Sequence, residues 1–178
     1  MKFYHYTPEF GMEQIIKSGI IKLATSSFAP KFQKPVAWVS TNPHFEQTAL
    51  KDIYDKTGSI TQLTFEQQAH MFGCARFEIK PTYKLYNWTK LAKRARIRVD
   101  MVRGLEEVGR KMGANPNEWY GSLKPIPIEQ WIRLEQYVNG KWVEVYNFET
   151  NKQSNLEGLG EGYETKLINS QYQPIRGE

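Results

Sequence analysis

Apolar and aromatic positions fall into short blocks separated by Pro, Gly, Asn and Ser, and the spacing within each block predicts an element. Phe3-Tyr4-His5-Tyr6 is rich in strand formers and stops at Thr7-Pro8. Thr7 is a good N-cap and Pro8 a good first helical residue. Met12, Ile15 and Ile16 then share a helical face, and Gly19 follows as a C-cap. His5 is thus expected at the end of a buried strand, where a helix begins. Ile20 to Leu23 reads as a short strand, and Thr25 to Pro35 as a loop whose Phe28 and Phe32 either fold over a ligand or pack as an Ω-loop.

Val36-Ala37-Trp38-Val39-Ser40 is continuous and apolar, as a buried strand should be. Asn42 reads as an N-cap with Pro43 behind it, and a helix is expected from Pro43 to about Lys56, with Phe45, Ala49 and Ile53 inward. Ser40 is left free for another task. Ser59 to Leu63 is a strand or a loop, and Thr64 caps a short helix. Cys74 to Ile79 alternates as a strand that Pro81 ends, with Lys84 to Asn87 extending it after a kink.

Trp88 to Met112 has helical spacing, with Leu91 and Ala95 on one row and Met101, Leu105, Val108 and Met112 on another. Arg96 to Val99 interrupts it, leaving an amphipathic helix from Asp100 to Lys111 that ends at Gly113. Glu118-Trp119-Tyr120-Gly121-Ser122 follows a loop, and Ile128 to Leu134 is a short helix or strand. Leu134 to Val138 and Trp142 to Phe148 form a hairpin closed at Asn139-Gly140. Beyond Thr150 few apolar residues remain, as in a polar tail or a surface wrap.

These elements predict an α+β domain over residues 1–150 and a polar tail over 151–178, within the range of a single core for 178 residues. No apolar run approaches 18 residues, no basic region precedes an apolar one at the N-terminus, and Cys74 is the single cysteine. A cytoplasmic protein without membrane contact is the expectation. The net charge of +5 changes the picture, because it is concentrated: from Lys90 to Lys111 eight basic residues stand against three acids. Such a segment attracts a polyanion or a phosphate-bearing ligand, or is a solvated helix face.

Chemistry-bearing motifs are sparse. There is no phosphate-binding glycine loop or serine-hydrolase elbow, and His5, His44 and His70 are too scattered for a zinc pattern, so no metal is expected. What remains is an order: His5-Tyr6-Thr7 at one strand end, Ser40-Thr41 at the next, and an acid in a later Trp/Tyr-rich segment.

With Tyr4-His5-Tyr6-Thr7, Ile16-Lys17-Ser18-Gly19-Ile20 and Val36-Ala37-Trp38-Val39-Ser40, the chain resembles the opening of ADP-ribosyltransferase-like proteins, in the branch whose first motif is a His. It is similar, too, to bacterial and phage proteins with a YHYT opening and a WxS strand. The resemblance implies a split, mixed or antiparallel β core flanked by helices, with NAD as substrate in a cleft. It implies that His5 holds a ribose hydroxyl with Thr7 assisting, and that Ser40 occupies the second motif position.

The third position, a Glu opening a strand before a Pro-containing bend, is best matched by Glu118, with Glu78 as competitor and Glu129 and Glu135 weaker. Tyr6, Thr41 and Arg76 complete the implied cofactor contacts. Lys93, Arg94, Arg96, Arg98, Trp119 and Tyr120 are the residues for a nucleic-acid or protein acceptor. A phage or toxin context fits that resemblance. An RNA 2′-phosphotransferase-like enzyme and a non-catalytic nucleic-acid or protein-binding module are the alternatives. No ExE or QxE pair occurs at Glu118, and no second-motif Tyr aligns, with Tyr54 and Tyr86 as substitutes.

Overall fold

A computed structural model describes residues 1–25, 29–54 and 58–153. The expectations for Phe28, for residues 55–57 and for the tail from residue 154 lie outside the described residues. The chain starts with β1 (Phe3–Thr7), α1 (Glu9–Ser18), β2 (Ile20–Ile21) and β3 (Ala37–Ser40). Next come β4 (Asp52–Tyr54), β5 (Ile60–Gln62), α2 (Phe65–Phe72), β6 (Ala75–Ile79), β7 (Tyr86–Asn87), α3 (Trp88–Ala95) and α4 (Val99–Lys111). It continues with β8 (Trp119–Ser122), β9 (Ile126–Pro127), β10 (Trp131–Val138), β11 (Lys141–Asn147) and β12 (Lys152–Gln153).

Eight strands make one sheet in the order β12-β11-β10-β6-β1-β3-β8-β7, and every described pairing is antiparallel. The fold is therefore α+β. β1 pairs with β6 over all five of its residues, but with β3 at one position alone, Tyr4 opposite Ser40. The sheet is thus two half-sheets joined along a one-residue seam.

Strand pleating sets the faces. On the first face Phe3, Val39 and Phe77 join Met12 of α1, Ile126 and Trp131 in the main core. On the other face, Tyr4 and Tyr6 pack with Phe45, and Trp88, Leu91 and Trp119 form a separate cluster under α3 and α4.

Several local rules hold. Gly19 ends α1 with φ 66°, Thr64 and Gln67 form a capping box on α2, and Asn139 and Gly140 turn the β10–β11 hairpin with φ 50° and 81°. Three expectations are corrected. Pro8, not Thr7, is the residue that caps α1, with no side-chain hydrogen bond. No helix runs from Pro43: Asn42 Oδ1 accepts from His44 N in a turn, Gln47–Ala49 is a single 3₁₀ turn, and Asp52 already belongs to β4. Asn42 prefers this tight turn because its side chain reaches the backbone two residues on.

The third correction concerns α4. Its apolar row Met101, Leu105 and Val108 is 40%, 42% and 56% exposed, and the inward row is Val102, Glu106 and Gly109. Two tryptophans select that row. Trp88 Nε1 donates to Glu106 Oε1 at 2.7 Å, and a Cβ on Gly109 would stand 2.5 Å from the Trp119 ring. A buried indole N–H needs a partner and the ring needs close approach, so a carboxylate and a glycine face inward.

Candidate functional site

The three sequence motifs lie on three adjacent strands. Ser40 of β3 pairs with Tyr4 of β1 on one side and with Trp119 of β8 on the other. His5 is one residue past Tyr4, and Glu118 one residue before Trp119. Sheet spacings put the two Cα atoms roughly 12 Å apart, across two strands and two rows.

His5 is half-buried, and its Nδ1 lies 2.8 Å from the carbonyl oxygen of Trp38, across the seam. A carbonyl can only accept, so Nδ1 carries the proton and Nε2 is a bare acceptor. Burial lowers the imidazole pKa from its usual 6.5, opposed by the Trp38 carbonyl and reinforced by the charge of Lys51. The ring is therefore neutral at pH 7, with one lone pair to offer a hydroxyl.

Glu118 is half-buried at the end of the 3₁₀ turn Pro116–Glu118. Its Oε2 accepts from Asn42 Nδ2 at 3.1 Å, and its carbonyl accepts from Thr41 N at 2.9 Å. Asn42 and Thr41 thus tie the end of β3 to the acid before β8. Glu118 keeps its second carboxylate oxygen without a protein partner among the described residues.

The remaining residues expected at the cofactor are engaged elsewhere. Ser40 is not free: it is 2% exposed, donates to Glu46 Oε2 at 2.7 Å and accepts from Asn42 N at 3.1 Å. Its pairing with Tyr4 puts it on the face opposite His5. Tyr6 donates to the Asn42 carbonyl and packs against Phe45 and Trp142, and burial pushes its hydroxyl well above the usual phenol range. Thr7 is buried, its hydroxyl bonded to the Pro8 carbonyl and pressed against Gly11.

Arg76 is not available for a pyrophosphate. Its Nε pairs with Glu135 at 2.6 Å, its guanidinium donates to the Pro43 carbonyl, and it is sandwiched between the rings of Tyr4 and Trp142. Glu78, the competing acid, is buried in ion pairs with Lys2 and Arg133 at 3.3 and 2.9 Å.

Among the acceptor residues, Lys93, Arg94, Arg96 and Arg98 are exposed at the corner between α3 and α4. Arg94 lies over the Tyr86 ring and Arg98 pairs with Asp100. Lys93 and Arg96 form no ion pair among the described residues. Trp119 is buried with its N–H on Glu46, which removes it as a stacking platform, and Tyr120 is half-buried edge-on to Phe3.

Glu46 is the residue that motif reading missed. It is buried, and its carboxylate collects Ser40 Oγ, Trp119 Nε1 and Thr48 Oγ1. The chain signalled it only by placing an acid four residues after Asn42, which reads equally as a first-turn acid. Its contacts fix the positions of Ser40 and Trp119 at the seam. Trp38 was missed as well: in a continuous apolar strand it is 37% exposed.

Among the described residues no group of three or more His, Cys, Asp or Glu could hold a metal, and no helix is long and apolar enough to cross a membrane. The chain matches no protein-family model, no curated protein and no solved structure.

Proposed function

We propose that the protein is an NAD-dependent ADP-ribosyltransferase whose acceptor is a nucleic acid or a protein, with His5 and Glu118 as its chemical pair. The supporting observation is the convergence of β1, β3 and β8, which sets a neutral imidazole and a half-free carboxylate on either side of the strand end at Ser40-Thr41.

In the reaction, the bond between nicotinamide nitrogen and ribose C1′ breaks and its electron pair leaves with nicotinamide. The ribose becomes oxocarbenium-like, and a carboxylate at Glu118 stabilises that positive charge. A lone pair of the acceptor forms the new bond to C1′, and its proton passes to Glu118 or to water. His5 Nε2 accepts a hydrogen bond from a ribose hydroxyl and orients the sugar. Ser40, held by Glu46, positions the backbone of Thr41 and Asn42, and Asn42 in turn positions Glu118. A phage–host conflict or toxin setting suits such an activity.

The test is incubation with NAD labelled on its adenylate, in the presence of single-stranded and duplex oligonucleotides and of protein extract. Label should move to one acceptor class with release of nicotinamide. His5→Ala and Glu118→Gln should each lower the rate by about 10²-fold or more while remaining folded by circular dichroism. Absence of nicotinamide release with every acceptor would reject the reading.

A second reading is a nucleic-acid-binding module without chemistry. It is favoured by one observation: the described cavity, of about 410 Å³, is walled by residues between Ala29 and Trp38, by Ala24 and Thr25, and by Ile97, Met101 and Leu105, not by His5 or Glu118.

A further inference from the structure

The cavity lies between residues 24–25 and 29–38 on one side and Ile97 and α4 on the other. Ala24 and Val36 bridge the first two stretches, and Lys34 N donates to the carbonyl of Ala95 at the end of α3. Trp38, Ile97, Met101 and Leu105 supply its apolar wall. Its charged wall residues are Lys31 and Lys34, both exposed, and among the described residues no acid lines it. Gln33, also in the wall, has its side-chain oxygen buried without a hydrogen-bond partner.

Three physical facts converge here. An exposed indole beside an apolar row is a stacking surface for a flat ring. Lysines at the rim attract phosphates along a strand, and Lys34 is bonded to the end of α3, near Arg96. An orphaned amide oxygen is rare in folded proteins, and a small turn about its terminal torsion offers it to a donor such as an exocyclic base amine. The volume suits a small flat ligand rather than a helix or a duplex groove.

We propose that this groove binds single-stranded nucleic acid, with one unpaired base stacked on Trp38 against Met101 and Leu105 and the flanking phosphates on Lys31 and Lys34. Trp38 holds His5 through its backbone carbonyl, while its indole is on the Ser40 face of the sheet, opposite the His5 imidazole. Binding in this groove requires no NAD and stands independently of the proposed transfer chemistry.

Fluorescence anisotropy with labelled single-stranded and duplex oligonucleotides of equal length, at several salt concentrations, tests it. The single strand should bind at least 10-fold more tightly than the duplex. Trp38→Ala should weaken it about 10-fold, with Trp38→Phe recovering most of the loss. The double variant Lys31→Ala/Lys34→Ala should reduce the slope of log affinity against log salt by about 1.4.

Equal affinity for duplex and single strand, or unchanged binding by folded Trp38→Ala, would overturn the groove. So would a concentration-dependent dimer that Trp38→Ala dissociates, with no oligonucleotide binding. Tight single-strand binding without nicotinamide release supports the groove and removes the transferase. Transfer to protein without oligonucleotide binding overturns the groove and leaves the transferase.

Discussion

The two sides of the seam treat their side chains in opposite ways. Toward β6, β10 and β11, charged and polar groups on the Tyr4 face are paired within the protein: Arg76 with Glu135, Tyr6 with Asn42, Glu78 with Arg133 and Lys2. Aromatic rings close over them, with Phe45, Phe65, Tyr137 and Trp142 in mutual contact. Toward β3 and β8 the same face carries α3 and α4, and there an apolar row and several cations are left outward. The contrast is the reason the proposed groove is placed on the open half. In the open half Trp38, Met101, Leu105 and Val108 are exposed together, beside the cavity that Trp38, Met101 and Leu105 line.

The sealed half should break most severely. Arg76→Ala removes one member of a pair whose side chains are 8% and 13% exposed, leaving Glu135 without its cation. A loss of about 3–5 kcal/mol is expected by chemical denaturation, and Arg76→Met with Glu135→Leu should recover much of it. A loss below about 1 kcal/mol would show that this half is less closed than its contacts indicate.

The seam itself should respond to pH with a smaller effect. His5 has a folded pKa below its usual 6.5, so the unfolded chain takes up its proton first as pH falls. Its contribution is complete above pH 6.5 and is lost as pH drops from there toward the lowered value. Comparing denaturation midpoints at pH 7.5 and 5.5, His5→Asn should lose less stability on acidification than the parent chain. An equal loss would remove the buried neutral imidazole from the account.

The open half should be nearly indifferent. Leu105→Lys replaces a 42% exposed leucine, and stability should change by no more than about 0.5 kcal/mol. A larger loss would mean that the row is covered by protein after all.

Helix ends and turns were readable where local chemistry decides, while the strand end expected at His5 was not: β1 runs on to Thr7. Gly19, the Thr64–Gln67 box and Asn139-Gly140 need only their neighbours, and each behaves as its spacing dictates. The interruption of the long helix near Arg96 was equally local: Arg96 takes the left-handed conformation with φ 59°, and α4 begins at Val99. The segment after Pro43 failed because the partners that extend it are distant in sequence. Trp142 Nε1 donates to the His44 carbonyl and Arg76 to that of Pro43, and these contacts outweigh a local helical preference. The orientation of α4 failed for the same reason, since Trp88 and Trp119 come from two other elements.

At the candidate site, the succession of His5, Ser40 and Glu118 on neighbouring strands was visible as an order of motifs. The commitment of Ser40 to Glu46, and of Arg76 to Glu135, was not. Both depend on which groups become buried together, and burial partners leave no local periodicity.

The position of β1 has a consequence for engineering. It occupies the interior of the eight-stranded sheet, and both of its neighbours follow it in the chain: β3 begins at Ala37 and β6 at Ala75. All five of its residues are laddered to Ala75–Ile79, so a truncation or ligation that disturbs Phe3–Thr7 acts on the middle of the finished sheet rather than on its margin.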